Sequence, residues 1–157
     1  NVYFLNFSMY AFPMQKVHVQ TFGCAANFAE GEMMKGILDK DGKQIVEKED
    51  ADVIVLNLCT VKGNAVALKA VKTAVKEYPH KKIVIAGCVS HELLPQLKLI
   101  IPTVSIINTH NIHKITTAVE QPIQFLERTK ENKINLPRIR KNPVIGILPI
   151  SSGCDSA

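Results

Sequence analysis

The stretch DVIVLNLC, residues 52–59, decides the fold class of this chain. An acidic residue opens it, a nearly continuous run of Val, Ile and Leu follows, and a cysteine ends it. A short run of this kind is typical of a strand that is buried on both faces, as in a parallel sheet covered by helices. Residues 16–22, 82–87 and 103–108 repeat the pattern, and residues 43–46 add a shorter strand. The sequence therefore predicts five strands.

Helical patterns separate these strands, at residues 28–40, 63–78, 90–100 and 112–121. Gly42 and Pro79 follow two of these segments and are typical helix-ending signals. Strands that alternate with helices form a doubly wound α/β sheet. We predict a mostly parallel, five-stranded sheet with flavodoxin-like strand order, in a three-layer α/β/α arrangement.

Length and charge set broad limits on what the chain can be. Its 157 residues suit one domain with a tail, and its net charge of +5 suits a polyanionic partner. No window reaches the ~18 apolar residues of a membrane span. Residues 1–14 are apolar but lack the basic start and cleavage site of a signal peptide, so we treat them as a leader of uncertain origin.

Three of the four cysteines follow predicted strands directly. Cys24, Cys59 and Cys88 come after the strands at 16–22, 52–58 and 82–87. The carboxyl ends of parallel strands meet at one edge of a sheet, which is where open α/β sheets bind ligands. Because neighbouring strands lie ~4.8 Å apart, we expect three thiols to converge there. Without a secretory signal, such thiols serve metals or catalysis more often than disulfides.

Several chemistries are open for three thiols at this edge. They could be buried core residues, since free cysteine is among the most buried residue types. A nucleophile would need an ordered base, which the sequence does not single out. Zinc would need a histidine, and the candidates are His18, His91, His110 and His113.

An iron–sulfur cluster fits the three thiols best. A [4Fe–4S] cluster takes thiolate ligands, and three of them leave one iron open for an outside ligand. We expect the helix after each cysteine to direct its N-terminus at this edge, which favours thiolates. Gly23 and Gly87 precede two of the cysteines and would allow the backbone to approach closely.

Three segments carry a family resemblance: QTFGCAANFAEGE (20–32), VIVLNLCTVKGNA (53–65) and IVIAGCVSH (83–91). They resemble the N-terminal domain of radical S-adenosylmethionine methylthiotransferases. The resemblance implies that Cys24, Cys59 and Cys88 hold an auxiliary [4Fe–4S] cluster that takes part in sulfur insertion. It also implies that Asn27 orders the loop after Cys24, a role that asparagine has at helix starts.

The fourth cysteine, Cys154, has a separate interpretation. The segment NPVIGILPISSGCDSA (142–157) looks like the first strand of a radical S-adenosylmethionine barrel and the first cysteine of its CxxxCxxC motif. The resemblance then implies a second [4Fe–4S] cluster, with Cys154 as its first ligand, and S-adenosyl-L-methionine as cofactor. We predict an N-terminal domain at 15–122, a basic linker at 123–142 and the start of a truncated barrel at 143–157.

The residues after Cys59 point to a substrate. CTVKGNA resembles the archaeal and eukaryotic branch that methylthiolates threonylcarbamoyladenosine at tRNA position 37. Implied partners are the tRNA anticodon stem-loop, an electron donor protein, and the enzyme's own barrel and RNA-binding domains, in the cytoplasm and without a membrane. Candidate RNA contacts are Arg138, Arg140 and Lys141, with a second basic face at Lys69, Lys72 and Lys76.

Two consequences accompany this prediction. We expect no catalytic residues and no turnover in this chain alone, since the barrel would perform the radical chemistry. The alternative from another class is a non-enzymatic flavodoxin-like module that holds an iron–sulfur cluster or metal for electron transfer or sensing.

Overall fold

A computed structural model of the chain describes residues 14–60, 63–129 and 132–148. Its strands are β1 (Lys16–Thr21), β2 (Gln44–Ile45), β3 (Val53–Leu58), β4 (Lys82–Gly87), β5 (Ser105–Asn108) and β6 (Gln124–Phe125). Its α-helices are α1 (Ala25–Lys40), α2 (Asn64–Glu77), α3 (Leu93–Ile100) and α4 (Ile115–Glu120). Two 3-10 helices cover Lys48–Asp50 and Thr109–Lys114.

The strands form one parallel sheet in the order β2-β1-β3-β4-β5-β6. The predicted flavodoxin-like order of the first five strands is confirmed. The sheet has six strands instead of five because residues 124–125, which we assigned to the basic linker, pair with β5. The central strand β3 is buried at all six positions, as its apolar run predicts.

The sheet separates two hydrophobic cores. Val53 and Val55 of β3 pack with α1 and α4, whereas the alternate residues Ile54 and Leu56 pack with α2 and α3. This alternation follows from the two-residue period of a strand, and it confirms the three-layer arrangement. In the described residues no helix is long and apolar enough to cross a membrane.

Several helix boundaries differ from those that we predicted. Helix α1 begins at Ala25 instead of residue 28, so Cys24 occupies its N-cap position. Helices α3 and α4 each begin three residues later than expected. Before α4, the side chain of Asn108 accepts a hydrogen bond of 3.0 Å from the backbone N–H of His110 and caps a 3-10 helix.

Residues 132–148, here called the strap, pack along α1. The backbone N–H of Ile139 donates to the Glu32 carbonyl (3.0 Å), and that of Lys141 donates to the Glu32 carboxylate (3.2 Å). Gly36 allows this approach, because a Cβ there would collide with the backbone at Pro137. Residues 143–148, assigned to the first barrel strand, form no strand in the described part of the chain. Cys154 lies outside the described residues.

Candidate functional site: the cysteine edge of the sheet

Three free cysteines lie at the carboxyl ends of three adjacent strands. Cys24 follows β1 and is exposed, Cys59 follows β3 and is 6 % exposed, and Cys88 follows β4 and is half-buried. The strand register aligns these ends, since Leu58 is opposite Gly87. The parallel topology therefore brings together residues that are 35 and 29 positions apart in the chain.

Two glycines determine how closely these strand ends approach each other. Gly23 has φ +110°, and a Cβ there would overlap the Cys59 side chain and lie 2.8 Å from its Sγ atom. Gly87 has φ +96°, and a Cβ there would collide with the Asn57 side chain and the Leu58 carbonyl. Both conformations favour glycine. These glycines thus allow the cysteine-bearing strand ends to pack directly against one another.

Asn27 connects Cys24 to the end of β3. It is 1 % exposed and lies in the first turn of α1. Its Oδ1 accepts from the Cys24 thiol (3.2 Å), and its Nδ2 donates to the Leu58 carbonyl (2.9 Å). Its own carbonyl accepts from Asn57 Nδ2 (2.7 Å). Asn27 therefore fixes the turn that carries Cys24 against the strand that carries Cys59.

Asn57 belongs to this arrangement, and our sequence analysis did not single it out. Its side chain is fully buried, and Oδ1 has no hydrogen-bond partner among the described residues. The available signal was a polar residue in an otherwise apolar buried strand, because such a residue normally needs a specific partner.

Burial raises the pKa of the Cys88 thiol to about 11. Electrostatic interactions with Glu30, Cys59 and Cys24 raise this pKa further, whereas a hydrogen bond with Asn27 lowers it. Without a bound metal, Cys88 is therefore a neutral thiol at physiological pH. A metal that binds there must displace the proton, which makes binding more favourable as the pH rises.

Thiol alkylation tests this difference in environment. At pH 8 a pKa of about 11 leaves roughly one Cys88 in a thousand as the reactive thiolate. We expect iodoacetamide to modify the exposed Cys24 at least about tenfold faster than Cys88 in the metal-free protein. Mass spectrometry of each cysteine-containing peptide measures both rates. Equal rates would contradict the assigned environments, and a denatured sample provides the control.

The helices that follow the three cysteines begin at different distances from them. Cys24 is the N-cap residue of α1. Helices α2 and α3, however, begin only at Asn64 and Leu93, beyond Cys59 and Cys88. Loops separate these two helices from their cysteines, and the prediction that both helices direct their N-termini at this edge stays a prediction.

A single metal ion and an iron–sulfur cluster place different demands on three thiol ligands. A single zinc ion requires its ligands within about 2.0–2.3 Å of one point. In residues 14–60, 63–129 and 132–148, no group of three His, Cys, Asp or Glu side chains is placed to hold a single metal ion. In a [4Fe–4S] cluster each thiolate binds a different iron, so the sulfur atoms lie farther apart. The three free thiols are of the type that such a cluster takes as ligands.

The histidines considered for zinc belong to three different parts of the fold. His18 contacts the Val46 carbonyl through Nδ1 (2.9 Å), on the β2 side of β1. His110 and His113 belong to the 3-10 helix after β5, and His91 is exposed in the loop after Cys88.

A buried ion pair beside this edge was not predicted. Lys133 of the strap donates to Glu30 of α1 at 2.7 Å, and each side chain is 7 % exposed. Burial raises the pKa of Glu30, whereas Lys133 and His110 partly offset the shift. The two residues are 103 positions apart, and no local sequence pattern indicates such a contact.

The candidate RNA contacts occupy two surfaces. On the strap, Arg138 is half-buried and donates to the Ile147 carbonyl (2.8 Å), while Arg140 and Lys141 are exposed. On α2, the exposed lysines are Lys69, Lys72 and Lys76.

Fold and site together define a class: a flavodoxin-like α/β domain with three free cysteines at its ligand-binding edge. A profile of the uncharacterized protein family UPF0004 matches residues 16–109, which include all three cysteines. The chain belongs to this family.

Curated relatives in archaea and animals are similar to nearly the whole chain. A probable threonylcarbamoyladenosine tRNA methylthiotransferase of Methanothermobacter thermautotrophicus is 34% identical over 149 residues, covering 90% of this chain and 35% of the relative. The Homo sapiens threonylcarbamoyladenosine tRNA methylthiotransferase is 38% identical over 159 residues, covering 92% of this chain and 27% of the relative. The chain thus spans about a third of the length of these relatives. The predicted resemblance to methylthiotransferases is confirmed.

Proposed function

We propose that this chain is the N-terminal domain of a tRNA methylthiotransferase that modifies C2 of threonylcarbamoyladenosine at tRNA position 37. The main observation behind this proposal is that Cys24, Cys59 and Cys88 follow three adjacent strands at the carboxyl edge of the sheet. The relatives' names support the reaction and the substrate. Thiolate ligands need a reducing compartment, so we assign the protein to the cytoplasm.

The three cysteines would hold an auxiliary [4Fe–4S] cluster. Three thiolates would leave one iron of such a cluster without a protein ligand, and that iron would be available for the sulfur that is transferred to the substrate. The chain's own residues prepare the site: Gly23 brings Cys24 against Cys59, and Asn27 fixes Cys24 to the end of β3. The exposure of Cys24 leaves one side of the site open to solvent, as a substrate that arrives from another domain requires.

The remaining functions belong to the longer enzyme. A barrel domain following the strap would bind S-adenosyl-L-methionine and a second [4Fe–4S] cluster, with Cys154 as its first ligand. An electron donor protein would reduce that cluster. Arg140 and Lys141 are exposed on the strap and suit contacts with tRNA phosphates. We expect this chain alone to show no methylthiotransferase turnover.

Anaerobic reconstitution with iron and sulfide tests the cluster. We expect about four irons per chain in the unaltered protein and a loss of cluster absorbance in C24A, C59A and C88A. C154A is the matched control and should retain about four irons. The same count in any of the first three variants, or no iron in the unaltered chain, would overturn the assignment. Far-UV circular dichroism of the metal-free variants confirms that each is folded.

A further inference from the structure

Glu30 and Lys133 form an ion pair in which both side chains are buried. The two residues are 5 % and 7 % exposed, and Nζ lies 2.7 Å from Oε1. The other carboxylate oxygen, Oε2, is buried and has no hydrogen-bond partner among the described residues. Burying two charges costs several kcal/mol per ion before the attraction is counted. A buried pair therefore contributes little net stability, and stability alone does not explain why it is there. Its location in the fold then suggests what else it does.

The pair lies beside the cysteine edge. Glu30 follows Asn27 by three residues in α1, and positions three apart share one face of a helix. Glu30 and Asn27 are both buried. Asn27 in turn accepts a hydrogen bond from the Cys24 thiol.

Lys133 brings the compensating charge from the strap. Other contacts hold the strap on the same helix: Ile139 donates to the Glu32 carbonyl, and the Pro137 backbone lies over Gly36. Leu136 packs against the core beneath them. The ammonium is therefore held in place by a fixed backbone as well as by the carboxylate.

We propose that Glu30 and Lys133 are positioning residues for the cysteine site: the carboxylate balances the ammonium, so that the pair adds no net charge beside the site and leaves the reduction potential of the bound cluster unshifted. This inference rests on the proposed function, because it requires the three thiolates to hold a cluster. An uncompensated positive charge in a low-dielectric environment stabilises the reduced, more negative cluster. Neither residue contacts substrate in this proposal.

A redox titration of reconstituted protein tests the inference. In E30Q the ammonium of Lys133 loses its counter-charge. We expect the ratio of reduced to oxidised cluster at a fixed potential to rise about tenfold, equivalent to about 59 mV for one electron. In E30Q/K133M both charges are absent, and the ratio should return to within about twofold of the unaltered chain. E120Q is the control, because it removes a glutamate from the exposed pair with Lys43.

The outcomes separate the inference from the proposed function. Four irons in every variant with an unshifted potential in E30Q would overturn the inference and leave the cluster assignment standing. Shifts of the same sign and size in E30Q and E30Q/K133M would also overturn it, since a purely structural role affects both alike. Iron lost from E30Q but kept in the double variant supports it, whereas iron lost from both overturns it. No iron in the unaltered chain would overturn both proposals.

Discussion

Replacing Gly23 with alanine is expected to destabilise the protein by about 2–5 kcal/mol and to abolish cluster binding. The backbone there has φ +110°, a conformation that side chains with a Cβ rarely adopt. The new Cβ would also overlap the side chain of Cys59. Strain and overpacking therefore add at one position, and relieving them requires Cys24 or Cys59 to move. Urea denaturation gives the free energy of unfolding, and iron analysis gives cluster content.

Gly42 is the matched control for Gly23. It also has a positive φ, +78°, but a Cβ there would meet nothing within 4 Å. We expect G42A to cost only the conformational term, about 1–2 kcal/mol, and to keep its iron. The difference between the two variants isolates the packing of Gly23 against Cys59. If G23A and G42A lose the same stability and both bind iron, the close approach has no role in the site.

Replacing Lys133 with methionine is expected to cost about 3–5 kcal/mol at neutral pH, because it leaves the Glu30 carboxylate buried without its partner. The matched control is K43M, which breaks the pair between Lys43 and Glu120. That pair has the same separation of 2.7 Å, but the glutamate side chain is 53 % exposed. Exposed pairs contribute about 0–1 kcal/mol. Similar losses in the two variants would contradict the buried environment of Glu30.

The loss in K133M should depend on pH. Burial already raises the pKa of Glu30, and Lys133 is a main influence that lowers it. Removing the lysine raises that pKa further, so the folded variant binds the proton more tightly than the unfolded chain does. Its stability is then retained at acidic pH and lost as the pH rises through the folded pKa. We expect a larger cost at pH 8 than at pH 5, and the reverse order would contradict this account.

Together these predictions separate two influences on the cysteine site. Gly23 acts on geometry, since it determines how near Cys24 and Cys59 can come. Lys133 affects the charge at the site, because it pairs with the Glu30 carboxylate, which raises the pKa of Cys88. G23A should therefore lose the cluster, whereas a balanced replacement of Glu30 and Lys133 should keep it.

The amino-acid sequence alone determined the fold class and the edge at which the cysteines lie. Short apolar runs indicate strands buried on both faces, and in a parallel sheet the residue after each strand must lie at the carboxyl edge. These are local patterns, so Cys24, Cys59 and Cys88 could be placed without coordinates. The helix after Cys88 starts three residues later than we predicted, because a loop of a few polar residues resembles the first turn of a helix.

Only the tertiary structure decided which side chains meet at that edge. A glycine before a cysteine is visible in the sequence. The overlap that a Cβ at Gly23 would have with Cys59, however, depends on how two strand ends pack. The pairing of Glu30 with Lys133 joins residues 103 positions apart. The periodicity of a helix or strand reports which face of an element is buried. It carries no information about which distant residue lies against that face, because packing between elements decides that contact.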